Sequence, residues 1–132
     1  MTTDTILFLV EDEILIQQML EDALTDAGFK VVIAGNGAEA ITELGDDATR
    51  FCAVVTDIRL GAGPSGWDVG QRTRELVHDM PIVYMSGDSG HEWASKGVPN
   101  SIMVGKPFAP AQIVTAVATL MNEVSSHPGT SN

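Results

Sequence analysis

A chain of 132 residues with 44% apolar content can bury one core and not two. Seven basic residues against 18 acidic ones leave a formal net charge of −11, which repels phosphate backbones and anionic bilayers and argues against nucleic acid or a membrane as partner. Cys52 is the only cysteine, the early run TILFLV is too short and lacks the basic flank of a signal peptide, and no apolar run nears the ~20 residues that cross a bilayer, so a cytoplasmic location is expected.

Apolar runs and helical patterns alternate along the chain. The first strand is predicted at residues 6–10 (ILFLV). A helix follows, with Ile16, Leu20, Ala23, Leu24 and Ala27 on its core stripe and Gly28 as C-cap. A second strand at 31–34 leads to a helix capped by Asn36 and carrying Ala40, Ile41 and Leu44. The third strand, 52–56, delivers Asp57, and a helix over 66–78 is stopped by Pro81. The fourth strand, 82–85, precedes a short helix at about 89–96. The fifth, 102–104, leads to a helix starting near Pro110 that presents Ile113, Val114, Val117, Leu120 and Met121. Residues 4–123 are expected to form one domain, and the polar stretch 124–132 a disordered tail.

Continuous rather than alternating hydrophobicity marks strands covered on both faces. Strict β–α alternation then predicts an α/β fold with a parallel sheet and helices on both faces. In such sheets ligands bind beyond the carboxyl ends of the strands, where strand order reverses. Those ends carry Glu11-Asp12, Asp57, Ser86 and Gly105-Lys106-Pro107. Three carboxylates crowded together repel unless a cation neutralises them, and an all-oxygen donor set without a His or Cys cluster suits Mg²⁺. A hydroxyl and an ammonium facing the acids complement the oxygens of a phosphoryl group. A carboxylate that accepts such a group becomes a covalent acyl phosphate.

Acid pair, aspartate, Ser/Thr and Lys-Pro, in that order at successive strand ends, resemble the receiver domain of the two-component response-regulator family over about residues 4–123. The resemblance implies a flavodoxin-like, doubly wound sheet of order 2-1-3-4-5, like that of the chemotaxis regulator. It implies Asp57 as phosphoacceptor, with Mg²⁺ held by Asp12 and Asp57, by Glu11 directly or through water, and by the backbone carbonyl of Arg59. Ser86 would hydrogen-bond the phosphoryl group, Lys106 would pair with its charge, and the Lys106–Pro107 bond would be cis. Asp88 falls where the family tunes dephosphorylation. The phosphoryl donor would be a histidine kinase or histidine phosphotransfer protein.

Each residue also has a simpler role. Glu11 or Asp12 could merely cap the next helix, Asp57 and Ser86 could be turn residues, and Lys106 a solvated charge. Only the conjunction favours the site. Ile14 lies on the polar side of the first helix with Gln17, Gln18, Glu21 and Thr25; it could dock a helix bundle together with Pro107 and Phe108, or pack locally against the Lys106–Phe108 loop. Trp93 falls in the family's output region and reads equally as a partly buried anchor, Trp67 reads as packing, and Cys52 as a small core residue. His78, His91 and His127 show no metal-ligand spacing.

Two departures from the family stand out. Met103 occupies the position of the usual switch aromatic, leaving Tyr84 as a substitute or as a plain core residue. After Asp57, Gly61 replaces the usual proline and GAGPSG brings Gly66 one residue late, which predicts a looser loop. The expected function is a stand-alone, phosphorylation-controlled interaction module or relay acting through an unidentified downstream protein. Beyond self-phosphorylation and slow autodephosphorylation it would not be an enzyme. The competing reading is a Mg²⁺-dependent phosphohydrolase with an aspartyl nucleophile, which the basic Arg59 two residues on and the lack of a cap domain disfavour.

Overall fold

A computed structural model describes residues 5–88 and 90–126. Five strands, β1 (Ile6–Val10), β2 (Lys30–Ala34), β3 (Phe51–Asp57), β4 (Ile82–Ser86) and β5 (Ile102–Gly105), form one sheet in the order β2-β1-β3-β4-β5. Every pairing is parallel. The intervening helices are α1 (Ile14–Asp26), α2 (Gly37–Asp47), α3 (Gly66–Leu76), α4 (Trp93–Lys96) and α5 (Pro110–Ser126). The alternation predicts the parallel sheet with helices on both faces, and the doubly wound, flavodoxin-like strand order is the one that the family resemblance implies.

The sheet separates two cores. Leu7, Leu9, Ala53, Val55, Val83 and Met85 face one way, against Leu20 and Leu24 of α1 and Ile113, Val117 and Leu120 of α5. Phe8, Val10, Val54, Ile82 and Tyr84 face the other, against Ala40 and Leu44 of α2 and Trp67 and Val69 of α3. The strands read as unbroken apolar runs because both faces are covered.

Local signals set most boundaries. Asn36 caps α2 by accepting the Glu39 amide at 2.8 Å. The C-cap of α1 is Ala27, so Gly28, the expected C-cap, stands one place beyond it, and its φ of +102° closes α1 with Phe29 N–H donating to Leu24 O at 3.0 Å. The third helix stops at Leu76, two residues before the predicted end. There Arg74 leaves the helix surface to donate to the carbonyls of Met80 (2.8 Å), Pro99 (2.5 Å) and Asn100 (3.2 Å), drawing the chain toward β4 and β5. The fourth helix is shorter than predicted, a 3-10 turn over Gly90–Glu92 and one α turn, with Ser89 outside the described residues. The last helix runs through Ser126, so residues 124–126 of the expected tail are helical; the rest of that tail lies outside the described residues. No helix among the described residues is long and apolar enough to cross a membrane.

The loop between β3 and α3 is less free than its composition suggests. Gly61 and Gly63 take φ of +80° and +92°, so glycine there serves defined turns. Ser65 and Asp68 then form a reciprocal capping box, and the Gly66 amide donates to Ile58 O at 2.8 Å. A Cβ on Gly66 would lie 2.1 Å from the Asp57 carbonyl oxygen, so the first turn of α3 rests directly on the strand end. Gly66→Ala is therefore expected to lower stability by roughly 1–3 kcal/mol in chemical denaturation. Gly45→Ala, at an exposed helical position with open space for a Cβ, should instead be neutral or stabilising by up to about 1 kcal/mol. Equal effects of the two substitutions would contradict the close approach.

Candidate functional site

Strand order reverses between β1 and β3, and the acids lie at that switch point. Asp57 closes β3 and is 5% exposed; Glu11 follows β1 and is fully buried; Asp12 beside it is exposed. Carboxylate oxygens of the three lie within 4.8 Å of one another. Lys106, brought in by the end of β5, donates from Nζ to Asp57 Oδ2 at 2.9 Å, and the Arg59 amide donates to Asp57 Oδ1 at 3.3 Å. Ser86, at the end of β4, is buried and accepts the Asp88 amide on Oγ at 3.2 Å. One open cleft is lined by Asp12, Glu13, Asp57, Arg59, Ser86, Gly87, Asp88 and Lys106. The Lys106–Pro107 bond is cis.

Charge in this cleft is unbalanced. Glu11 Oε2 accepts the Glu13 amide at 3.1 Å, while Oε1 is buried and without a hydrogen-bond partner. The helix itself has Glu13 as N-cap with no side-chain cap bond, so neither Glu11 nor Asp12 is its N-cap residue. Burial, with the Asp57 charge adding to it, pushes the Glu11 carboxyl up to about 7, against the opposing effects of the Glu13 amide and Lys106. Lys106 feels burial as a penalty on its charge, but the hydrogen bond and charge of Asp57, with Glu11 and Glu13 beyond, outweigh it and raise its pKa. Three clustered carboxylates, one with an orphaned buried oxygen, are a donor set that fits a hard divalent cation.

The structure brings Glu11, Asp12, Asp57, Arg59, Ser86, Asp88 and Lys106 together and leaves other candidates outside the cleft. Tyr84 is fully buried, its ring 4.9 Å from that of Trp67 and its hydroxyl accepting the Val98 amide at 3.2 Å. Met103 is half-buried against the same core. Trp93, 38% exposed, donates through Nε1 to Ser101 Oγ at 2.9 Å. Cys52 is half-buried, its thiol pushed up to about 11 by burial, and His78 and His91 are exposed; His127 lies outside the described residues. Ile14 is 61% exposed, so local packing covers little of it, while Pro107 is exposed and Phe108 half-buried.

Two features went unread in the sequence. Leu15, 80% exposed, and Met19 extend the apolar patch begun by Ile14. Arg59 and Asp88 form a two-point ion pair, Nη2–Oδ2 at 2.9 Å and Nε–Oδ1 at 3.1 Å. Opposite charges two residues beyond the ends of adjacent strands were the available signal.

A doubly wound parallel sheet with an acidic, lysine-bearing crevice at its switch point defines the class: a flavodoxin-like α/β domain. Residues 7–118 match the model of the response regulator receiver domain, and the chain belongs to that family, the receiver module of two-component signalling. It is similar to the transcriptional regulatory protein CusR of Escherichia coli K12, 32% identical over 87% of this chain and 50% of that protein. It is 34% identical to a response regulator receiver protein of Anaeromyxobacter sp., over 86% of this chain and 44% of the relative. The chain thus spans about half the length of these curated relatives. Among solved structures, a response regulator receiver protein of Sinorhizobium medicae superposes with TM-score 0.86 at 46% identity, covering 90% of this chain and 95% of that one. Response regulator TrrA of Thermotoga maritima, solved with Mg²⁺–BeF, shares the fold with TM-score 0.76 at 24% identity, over 88% and 98%.

Glu11 yields a pH prediction. Its carboxyl pKa of about 7 in the folded protein exceeds the ordinary 4.5, so the folded chain holds that proton more tightly. The resulting stability is complete below the unfolded value and is lost as pH rises through about 7. Without divalent metal, wild type should lose at most roughly 3 kcal/mol more than Glu11→Gln across this window in denaturant titrations. Parallel pH profiles would show that Glu11 is not perturbed.

Proposed function

We propose that the chain is a response-regulator receiver phosphorylated on Asp57 by a histidine kinase or histidine phosphotransfer protein, with output through phosphorylation-dependent protein contact or relay. The observation that carries this reading is Lys106 Nζ at 2.9 Å from Asp57 Oδ2 inside a cluster of three carboxylates. Asp57 sits at a strand end, 5% exposed, and lines an open cleft that a donor can reach. A carboxylate oxygen of Asp57 forms a bond to phosphorus as the donor's P–N bond breaks, and the departing imidazole nitrogen takes up a proton. Lys106 neutralises charge on the transferred group, and the Ser86 hydroxyl donates to one of its oxygens. Glu11, Asp12, Asp57 and the carbonyl of Arg59 are the residues that would hold Mg²⁺. When bound, that ion would shield the transferring phosphoryl group from the surrounding carboxylates. The Mg²⁺–BeF complex of the Thermotoga maritima regulator, a protein of the same fold, supports this choice of cation.

The acceptor reading is tested with acetyl phosphate and Mg²⁺, followed by intact mass. Wild type should gain one phosphoryl group, and Asp57→Asn should gain none. Repeated turnover of small phosphoesters without a stable adduct would favour the phosphohydrolase instead.

Donor docking is assigned to the exposed apolar residues Ile14, Leu15 and Met19 of α1, together with Pro107 and Phe108 after β5. Ile14→Ala combined with Leu15→Ala should slow phosphotransfer from the cognate donor by tenfold or more, on the order expected for losing apolar interface anchors. Labelling by acetyl phosphate and melting temperature should change little. A fall in melting temperature with transfer intact would refute the docking role.

A further inference from the structure

We propose that Arg59 exchanges partners on phosphorylation, leaving Asp88 for the phosphoryl group on Asp57 and so releasing the connection between β4 and β5. The exchange rests on the reading of Asp57 as phosphoacceptor. Four residues form a linked series across two loops. The Arg59 amide meets Asp57 Oδ1 at 3.3 Å, the Arg59 guanidinium grips Asp88 at 2.9 and 3.1 Å, and the Asp88 amide meets Ser86 Oγ at 3.2 Å. Both ends of the series, Asp57 and Ser86, are groups that an incoming phosphoryl group would engage. The ion pair lies between them and lines the same cleft.

Charge decides the direction. The Arg59 and Asp88 side chains are 75% and 59% exposed, so their attraction is screened and readily exchanged. A phosphoryl group on Asp57 carries roughly −1.5 to −2 charge where the carboxylate carried about −1, and it offers three acceptor oxygens, which a guanidinium fork binds better than one carboxylate.

What the pair restrains is the connection that follows β4. Beyond Asp88, the 3-10 turn Gly90–Glu92 and the single turn of α4 contain no buried residue. Further along, Trp93 Nε1 donates to Ser101 Oγ at 2.9 Å, Ser101 Oγ to Val98 O at 2.7 Å, and the Val98 amide to the Tyr84 hydroxyl at 3.2 Å. Residues 90–96 therefore lie between the ion pair and the Trp93–Ser101 bond, with the 3-10 turn also resting beside Met103 of β5. Loss of the first restraint frees their N-terminal side while Tyr84 stays fixed.

Four proteins test this: wild type, R59A, D88N and R59A/D88N, each with Mg²⁺ and with or without beryllofluoride. Affinity is read by tryptophan fluorescence and loop opening by amide hydrogen exchange. In wild type, beryllofluoride should accelerate exchange at residues 90–96. Both single variants should show that faster exchange before any beryllofluoride is added. Their affinities should move in opposite directions, D88N about two- to fivefold tighter and R59A about two- to fivefold weaker, the range set by one exposed ion pair. In the R59A background, D88N should add nothing, because no guanidinium remains to be freed. A D88N gain of equal size in both backgrounds would mean simple charge repulsion and would overturn the exchange. So would unchanged loop exchange in both single variants. A wild type that takes up neither beryllofluoride nor a phosphoryl group from acetyl phosphate would instead overturn the acceptor reading, and the exchange with it.

Discussion

Everything in the cleft answers to the contact between Lys106 and Asp57. Three carboxylates at one sheet edge, two of them buried, cannot all be ionised without a compensating cation. Lys106 supplies one charge at 2.9 Å, and its raised pKa shows that the acids dominate its surroundings despite the penalty of burial. One ammonium does not balance three carboxylates. The remaining imbalance is visible at Glu11, whose carboxyl is pushed to about 7 and whose Oε1 has no hydrogen-bond partner. The excess of acid at this edge is an electrostatic tension that a divalent cation would relieve.

Such tension is tolerable only on a stiff support. β1 and β3 are neighbours in the middle of the sheet and are covered on both faces, so Asp57 and Glu11 cannot retreat from one another by bending a strand. Gly66 extends that rigidity past the strand, since the first turn of α3 sits against the Asp57 carbonyl. The loop between them is consequently short of freedom at both ends, whatever its glycine content. By contrast the connection after β4 has no buried residue in its short helical turns. Stiffness on one side of the cleft and looseness on the other would give the proposed phosphorylation of Asp57 a direction in which to propagate.

The fold was legible because each strand is a continuous apolar run and each run ends on a polar residue that topology gathers at one edge. Asp12, Asp57, Ser86 and Lys106 could be placed from order alone, since parallel strands put every carboxyl end on the same side. What escaped was side-chain geometry across loops. Arg59 and Asp88 are 29 residues apart and meet only because β3 and β4 pair in register. The early end of α3 follows from Arg74 reaching carbonyls in two later segments, which no local helix signal encodes. Leu15 was overlooked because the core stripe of α1 begins at its neighbour Ile16, about 100° around the helix. The GAGPSG loop shows the same limit: its composition reports the freedom of a peptide, and only the structure shows that its α3 end is tied by the Ser65–Asp68 capping box and the close approach of Gly66.

Charge and apolar surface also bear on how a donor could approach. A net charge of −11 repels any phosphoryl donor, itself anionic, from an acid-lined cleft. Long-range steering therefore opposes the encounter unless the donor carries a basic rim. Attraction must come at short range, and the large apolar side chains at the cleft's edge, Ile14 and Leu15, are the groups available for it. Apolar contact is insensitive to the sign of charge, and it falls on the first turn of α1, directly after Asp12. A donor that buries this patch is thereby positioned over the acids it would otherwise avoid, so the exposed leucine and isoleucine fit the electrostatics of the site as much as its shape.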